Sequence, residues 1–182
     1  MSSSVTCPTL DHILTSELCT ENFAGVGSVV YVGLISDLSA PLTAEKELYS
    51  EPVFSEGKGL YKIDCKEETS AISGASLGAN KGFRQSLNFT VEEVTPRLSQ
   101  LARAMNNRQM FFIVPDGDDY QILYSPTRKI KPAADAITSN TGAAATDARE
   151  TTFAYTLGPV EYMNNYVTIT DIEALLYIEP VS

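Results

Sequence analysis

At 182 residues the chain is long enough for one domain that buries roughly 70% of the surface its unfolded form exposes. A hydrophobic fraction of 43% and a charged fraction of 20% exclude disorder over the whole length. Thirteen basic against twenty-three acidic side chains give a net charge of -10, which excludes tight binding to nucleic acid phosphates or anionic lipid.

The start, Met1 to Val5, has neither the basic nor the apolar region of a secretory leader, and residues 1 to 24 show little periodicity. Gly25-Val26-Gly27 leads into the first expected strand, Ser28 to Ile35, a short β-branched run suited to burial on both faces. This run is the longest strongly apolar stretch and is too short to cross a bilayer. Residues 36–59, rich in Ser, Pro, Glu and Gly, read as a long excursion. Leu60 to Cys65 alternates and reads as a half-exposed strand, and residues 70–82 read as a small-residue connection.

The clearest pattern lies at the centre. Phe83, Gln85, Leu87, Phe89 and Val91 fall on one face of a strand, and Arg84, Ser86, Asn88, Thr90 and Glu92 on the other. Thr95-Pro96 then opens a helix with Thr as N-cap and Pro at the first helical position. Leu98, Leu101, Ala102 and Met105 form its apolar stripe, and Asn106-Asn107 end it. Met110 to Pro115 and Tyr120 to Ser125 flank the turn-forming Asp116-Gly117-Asp118-Asp119 and make a β-hairpin. From Pro126 to Arg149 the pattern is lost: basic Arg128, Lys129 and Lys131 give way to Ala, Thr, Ser, Asn and Asp, with Ile130 and Ile137 the only large apolar residues. Strands at Thr151 to Leu157 and Tyr166 to about Ile178, the second broken near Asp171, close the chain. The expected fold is mainly β (α+β): one domain over residues 1–182, a β-sandwich or barrel of about seven strands with one flanking helix, and long excursions at 36–59 and 126–149.

Catalytic and metal chemistry find little support. His12 is the only histidine, so triad chemistry has a single imidazole to draw on. Cys7, His12, Cys19 and Cys65 are ligand types for zinc, but their spacing fits no common zinc motif. Three cysteines make no even-numbered disulfide framework, so folding in a cytoplasm is expected. Gly74 to Gly82 lacks the Gly-Lys-Ser/Thr ending of a phosphate loop and precedes a strand where a helix should start. Asp116 to Asp119 is too short for a calcium loop, and Asn88-Phe89-Thr90 is a glycosylation sequon in mid-strand. Glu92 and Glu93, neighbours on a strand, point to opposite faces and cannot act as an acid–base pair. The expectation is a non-enzyme without metal or cofactor.

Three segments, Gly82 to Val91, Leu101 to Asn107 and Phe111 to Gly117, follow in the order strand, capped helix, apolar hairpin, then a polar loop and a returning strand. In this order, over about half of the chain, the sequence resembles the phage tail tube protein family. The resemblance implies a virion structural protein: hexameric rings of β-sandwiches stacked into a tube that conducts DNA as passing cargo. Its partners would be itself and other virion tail or neck proteins, with no membrane. Under that resemblance Ser86, Asn88, Thr90 and Glu92 face the lumen, and Arg128, Lys129, Lys131 and Ile137 lie on a subunit-contact loop. The long polar loop 126–149 leaves room for a tail terminator, tail hub or neck ring protein of the same fold. A reading of another class is a small-molecule or peptide-binding β-barrel with 36–59 and 126–149 as lids.

Overall fold

The computed structural model describes residues 27–80, 82–144 and 147–179. Among them are eleven strands, in two sheets, and one α-helix. The expected mainly-β fold is therefore found, in its sandwich form; the sheets do not close into a barrel.

A seven-stranded sheet has β1 (Val29–Leu34) and β7 (Met110–Asp116) side by side. On one flank of this pair β4 (Tyr61–Asp64) forms the edge. On the other flank β8 (Asp119–Leu123) is followed by three two-residue strands: β11 (Tyr166–Val167), β3 (Leu48–Tyr49) and, at the edge, β2 (Ala44–Glu45). The second sheet has four strands in the order β5 (Ala71–Ser76), β6 (Phe83–Val91), β10 (Glu150–Val160) and β9 (Lys131–Asn140). All its pairings are antiparallel.

The core between the sheets follows from alternation. Leu87 and Phe89 of β6 and Phe153, Tyr155 and Leu157 of β10 turn inward against Val30, Val32, Phe112, Val114 and Leu123. Their rings interlock: Phe89 stacks on Phe153 at 4.9 Å and Phe112 tilts against Tyr155 at 4.8 Å between centroids. Helix α1 (Pro96–Asn107) joins this core through buried Leu98 and Met105, with Leu101 and Ala102 half-buried, as the stripe requires. Thr95 is its N-cap, its Oγ1 accepting from the Leu98 amide at 3.3 Å. The hairpin turn also forms as expected. Asp116 pairs with Asp119, and Gly117 supplies a positive φ of 63° at the first position of a two-residue loop.

A second core lies on the other face of the seven-stranded sheet. Tyr31, Phe111, Ile113, Ile122 and Tyr124 face it, covered by Leu42, Tyr49, Leu60 and Val167. This is why β1 and β7 are continuous apolar runs: both of their faces are dry. Gly33 is part of that packing, since a Cβ there would strike the Phe111 ring across the strand pair.

Four expectations need correction. Residues 36–59 are no free excursion; they carry β2 and β3 and cover the second core, through Leu42 and Tyr49 among others. The connection 70–82 contains strand β5, with Ile72 half-buried opposite Leu87. Within 126–149, residues 131–140 are strand β9, broken by a bulge near Asp135 (φ 52°), and the exposed turn begins at Thr141. The expected strand from Tyr166 to Ile178 is limited to Tyr166–Val167. Beyond it, a 3-10 turn at Glu173–Leu175 and a bridge from Leu176 to Leu60 pack the chain on the second core.

Candidate functional site: an uncharged sheet face with two open edges

The four-stranded sheet has one face in the core and one turned outward. On β6 the outward residues are Arg84, Ser86, Asn88 and Thr90. Register places Ala75, Ser73 and Ala71 of β5 beside Arg84, Ser86 and Asn88. On the other side Thr156, Ala154 and Thr152 of β10 lie beside Ser86, Asn88 and Thr90, and Thr138 of β9 beside Thr152. The middle of this face is thus Ser, Thr, Ala and Asn across four strands. Charge enters only towards its ends, with Arg84 and Lys131 at one and Glu92 and Glu150 at the other. A solvated face normally carries about 25–35% charged side chains, so a patch without them needs a different explanation.

The sequence-derived lumen residues occupy this face with unequal exposure. Asn88 is exposed and Ser86 half-buried, whereas Thr90 is only 8% exposed and shares a hydrogen bond with Thr152, Oγ1 to Oγ1 at 3.1 Å. Glu92 is exposed but not free of partners. The Lys66 ammonium reaches across this end, 2.9 Å from Glu150 and 3.9 Å from Glu92, and the Glu150 contact raises the lysine pKa. One core-facing residue departs from the apolar rule. Gln85 is buried, donates through Nε2 to the Tyr162 carbonyl at 3.1 Å, and leaves its Oε1 unpartnered among the described residues.

The open edges are the second feature. Among the described residues β5 and β9 terminate the sheet on its two sides. β5, Ala-Ile-Ser-Gly-Ala-Ser, has no charge, no proline and no bulge, the devices that normally discourage pairing at an edge. β9 carries Pro132 and the bulge near its start, which leaves Ala136 to Asn140 regular. Beyond it Asp147 fixes the turn: its Oδ2 accepts from the Ala143 and Ala144 amides at 2.8 Å each, which lowers its pKa.

The four residues assigned to a contact loop separate. Arg128 and Lys129 are exposed in the turn before β9, where Ser125 Oγ accepts from the Thr127 and Arg128 amides, and Lys131 is exposed at the start of β9. Ile137 does not belong with them. It pairs with Phe153 and turns toward the core, because alternation along β9 sets it inward.

Cys7, His12 and Cys19 lie outside the described residues. Cys65 is buried, and desolvation raises its thiol pKa. Among the described residues no three His, Cys, Asp or Glu side chains gather as metal ligands, and no helix is long and apolar enough to cross a membrane. The space between the sheets is filled by aromatic and aliphatic side chains, and an open groove of about 780 Å³ lies outside it beside β4 and α1. Sequence reasoning found the polar face from β6 alone. It missed the edges, because β5 and β9 hold too few large apolar residues to announce themselves. No family model matches the chain, and no curated protein or solved structure is significantly similar to it.

Proposed function

We propose that the chain is a virion structural protein whose copies close into a ring that lines a DNA conduit, as in a phage tail tube. The observation that carries this reading is the four-stranded sheet, with an outer face uncharged across its middle and, among the described residues, two open edges of opposite direction. Because every pairing in it is antiparallel and the strand number is even, β5 and β9 run in opposite senses. A head-to-tail contact of β9 in one copy with β5 in the next is therefore itself antiparallel and continues the sheet without a break. Six copies give a wall of 24 strands, about 37 Å across at the backbone before tilt at a strand spacing of about 4.8 Å. Four copies would give about 24 Å, too narrow for a hydrated duplex once side chains are added. Small Ser, Thr, Ala and Asn side chains across the middle of the concave surface keep the bore open and leave phosphates no cation to grip there, so DNA slides past it.

The same geometry serves a tail terminator, tail hub or neck ring, which are variants of this reading. The ligand-binding barrel has less support, since the volume it needs between the sheets is occupied by Leu87, Phe89, Phe112, Phe153 and Tyr155.

Native mass and negative-stain images of concentrated protein test the proposal. Rings with an open centre are the expected result, and a monomer at all concentrations and within isolated particles overturns it. Asn88→Lys, at an exposed site in the middle of the face, should leave rings intact and reduce DNA delivery in an infectivity assay.

A further inference from the structure

Strand β4 is an edge of the seven-stranded sheet, and its outer side is occupied at both ends but not between them. On the inner side β1 takes the odd positions: the Cys65 amide donates to the Ser28 carbonyl at 2.7 Å, and the pairs Val30–Ile63 and Val32–Tyr61 continue that alternation. Even positions therefore turn their N–H and C=O away from β1. At Leu60 they meet the last described segment of the chain: the Leu60 amide donates to the Leu175 carbonyl at 2.8 Å, and the Tyr177 amide to the Leu60 carbonyl at 2.9 Å. At the other end the Lys66 amide donates to the Thr90 carbonyl at 2.7 Å. Between these two points the N–H and C=O of Lys62 and Asp64 have no partner among the described residues. The open groove beside β4 and α1 runs along this gap, with Ile63, Cys65, Leu98 and Leu101 on its walls and Arg97 at its margin.

The two bonds at Leu60 are one step of a parallel ladder, and they fix the register of whatever continues it. Leu176 sits beside Leu60, and Tyr177 beside Tyr61, their rings 5.3 Å apart between centroids. Carried on, this register sets Ile178, Glu179, Pro180 and Val181 beside Lys62, Ile63, Asp64 and Cys65. Alternate residues of each strand bond across a parallel pair. The next bonds would therefore use the Tyr177 carbonyl, both backbone groups of Glu179 and the Val181 N–H. Pro180, which has no N–H to give, falls where none is used. Proline also biases the residue before it, Glu179, towards extended backbone, and Ile178 and Val181 are β-branched. Glu179 and Val181 would turn with Tyr177 to the groove side, where Arg97 is a counter-charge for the carboxylate and Leu98 and Leu101 are apolar partners for the valine. In the structure the ladder stops after Tyr177, and Ile178 is 82% exposed.

We propose that the β4 edge and its groove are a docking site for residues 178–182 of the same chain, which close on it as a parallel edge strand. The occupant is this segment because its ladder has already begun at Leu60, its register is set, and its only proline falls at a position that needs no N–H. A strand from elsewhere would have to enter a slot that Leu176 closes at one end and Thr90 at the other. Closed, the segment satisfies the free groups of Lys62 and Asp64 and withholds the edge from other strands. Open, it leaves a short stretch of unpaired backbone beside an apolar groove, the arrangement by which an extended peptide adds to a sheet. The inference is independent of the ring reading, since β4 belongs to the other sheet and takes no part in the contact of β5 with β9.

Residue-resolved hydrogen exchange on the full chain provides the test, read as protection relative to the intrinsic rate and repeated at several protein concentrations. The Lys62 and Asp64 amides should be protected by about tenfold or more, with the Cys65 amide, bonded to β1, as the internal reference. Ending the chain at Tyr177 should remove that protection and leave Cys65 unchanged. Glu179→Pro, which takes away a ladder N–H, should do the same. Ile178→Pro, at a position whose N–H faces outward, and Glu179→Ala, which keeps the N–H, should retain most of the protection. Amides of Lys62 and Asp64 that exchange at the intrinsic rate in the full chain, or protection that survives the truncation, overturn the proposal. Equal losses from the two proline variants overturn the register and with it the parallel strand. Protection that rises with protein concentration overturns closure within one chain and gives the groove to residues 178–182 of a second copy.

Discussion

Truncating Phe89 to alanine probes the junction on which the sandwich depends. Phe89 is 0% exposed in mid-β6, stacked on Phe153 at 4.9 Å and tilted against Phe112 at 6.2 Å, so it touches its own sheet and the facing one. Phe→Ala in a core costs about 3–5 kcal/mol through lost transfer energy and the cavity left behind. Two aromatic contacts add about 0.5–1.5 kcal/mol each, which sets the expectation near the upper end, about 5 kcal/mol. With a urea m-value of roughly 2–3 kcal/mol/M for a chain of this size, the midpoint should fall by about 2 M at constant m. The measurement is equilibrium urea unfolding, by tyrosine fluorescence and far-UV circular dichroism, at a concentration where the protein is monomeric. Asn88→Ala, one residue away on the outward face, is the control and should change stability by no more than about 0.5 kcal/mol. A loss under about 1 kcal/mol for Phe89→Ala, or equal losses at 88 and 89, would refute the alternation on which both the core and the outer face rest.

Two further predictions concern local features. Thr95→Ala removes the acceptor for the Leu98 amide and should cost about 1 kcal/mol by the same unfolding assay, with Thr95→Ser retaining most of the stability. Asp147, whose pKa is lowered by two amide hydrogen bonds, stabilises the turn above the ordinary aspartate range. That contribution should be lost as pH falls through its folded pKa, seen as lower amide protection at Ala143 and Ala144 relative to the intrinsic rate at each pH, and Asp147→Asn should show the lower protection already at neutral pH.

Wherever a segment carries its own signal, local pattern was enough. The two faces of β6, the Thr-Pro start of α1 and the Asp-Gly hairpin between β7 and β8 each combine spacing with residues of fixed conformational preference, and each forms as expected. The polar face bearing Ser86 and Asn88 was legible for the same reason. Edge strands are different. β5 and β9 have one half-buried isoleucine each, Ile72 and Ile137, and otherwise small or polar residues, so their extended state comes from hydrogen bonds to β6 and β10 and not from burying large apolar residues of their own. The segments over the second core, including Leu42, Tyr49 and Val167, likewise read as loop because their few apolar residues are spaced irregularly and find partners only across the chain. Composition supplied an overall charge of -10. Tertiary structure decided how that charge is divided, because strand register alone sets Glu67, Glu92 and Asp118 at one end of the sheets and Arg128, Lys129 and Lys131 at the other.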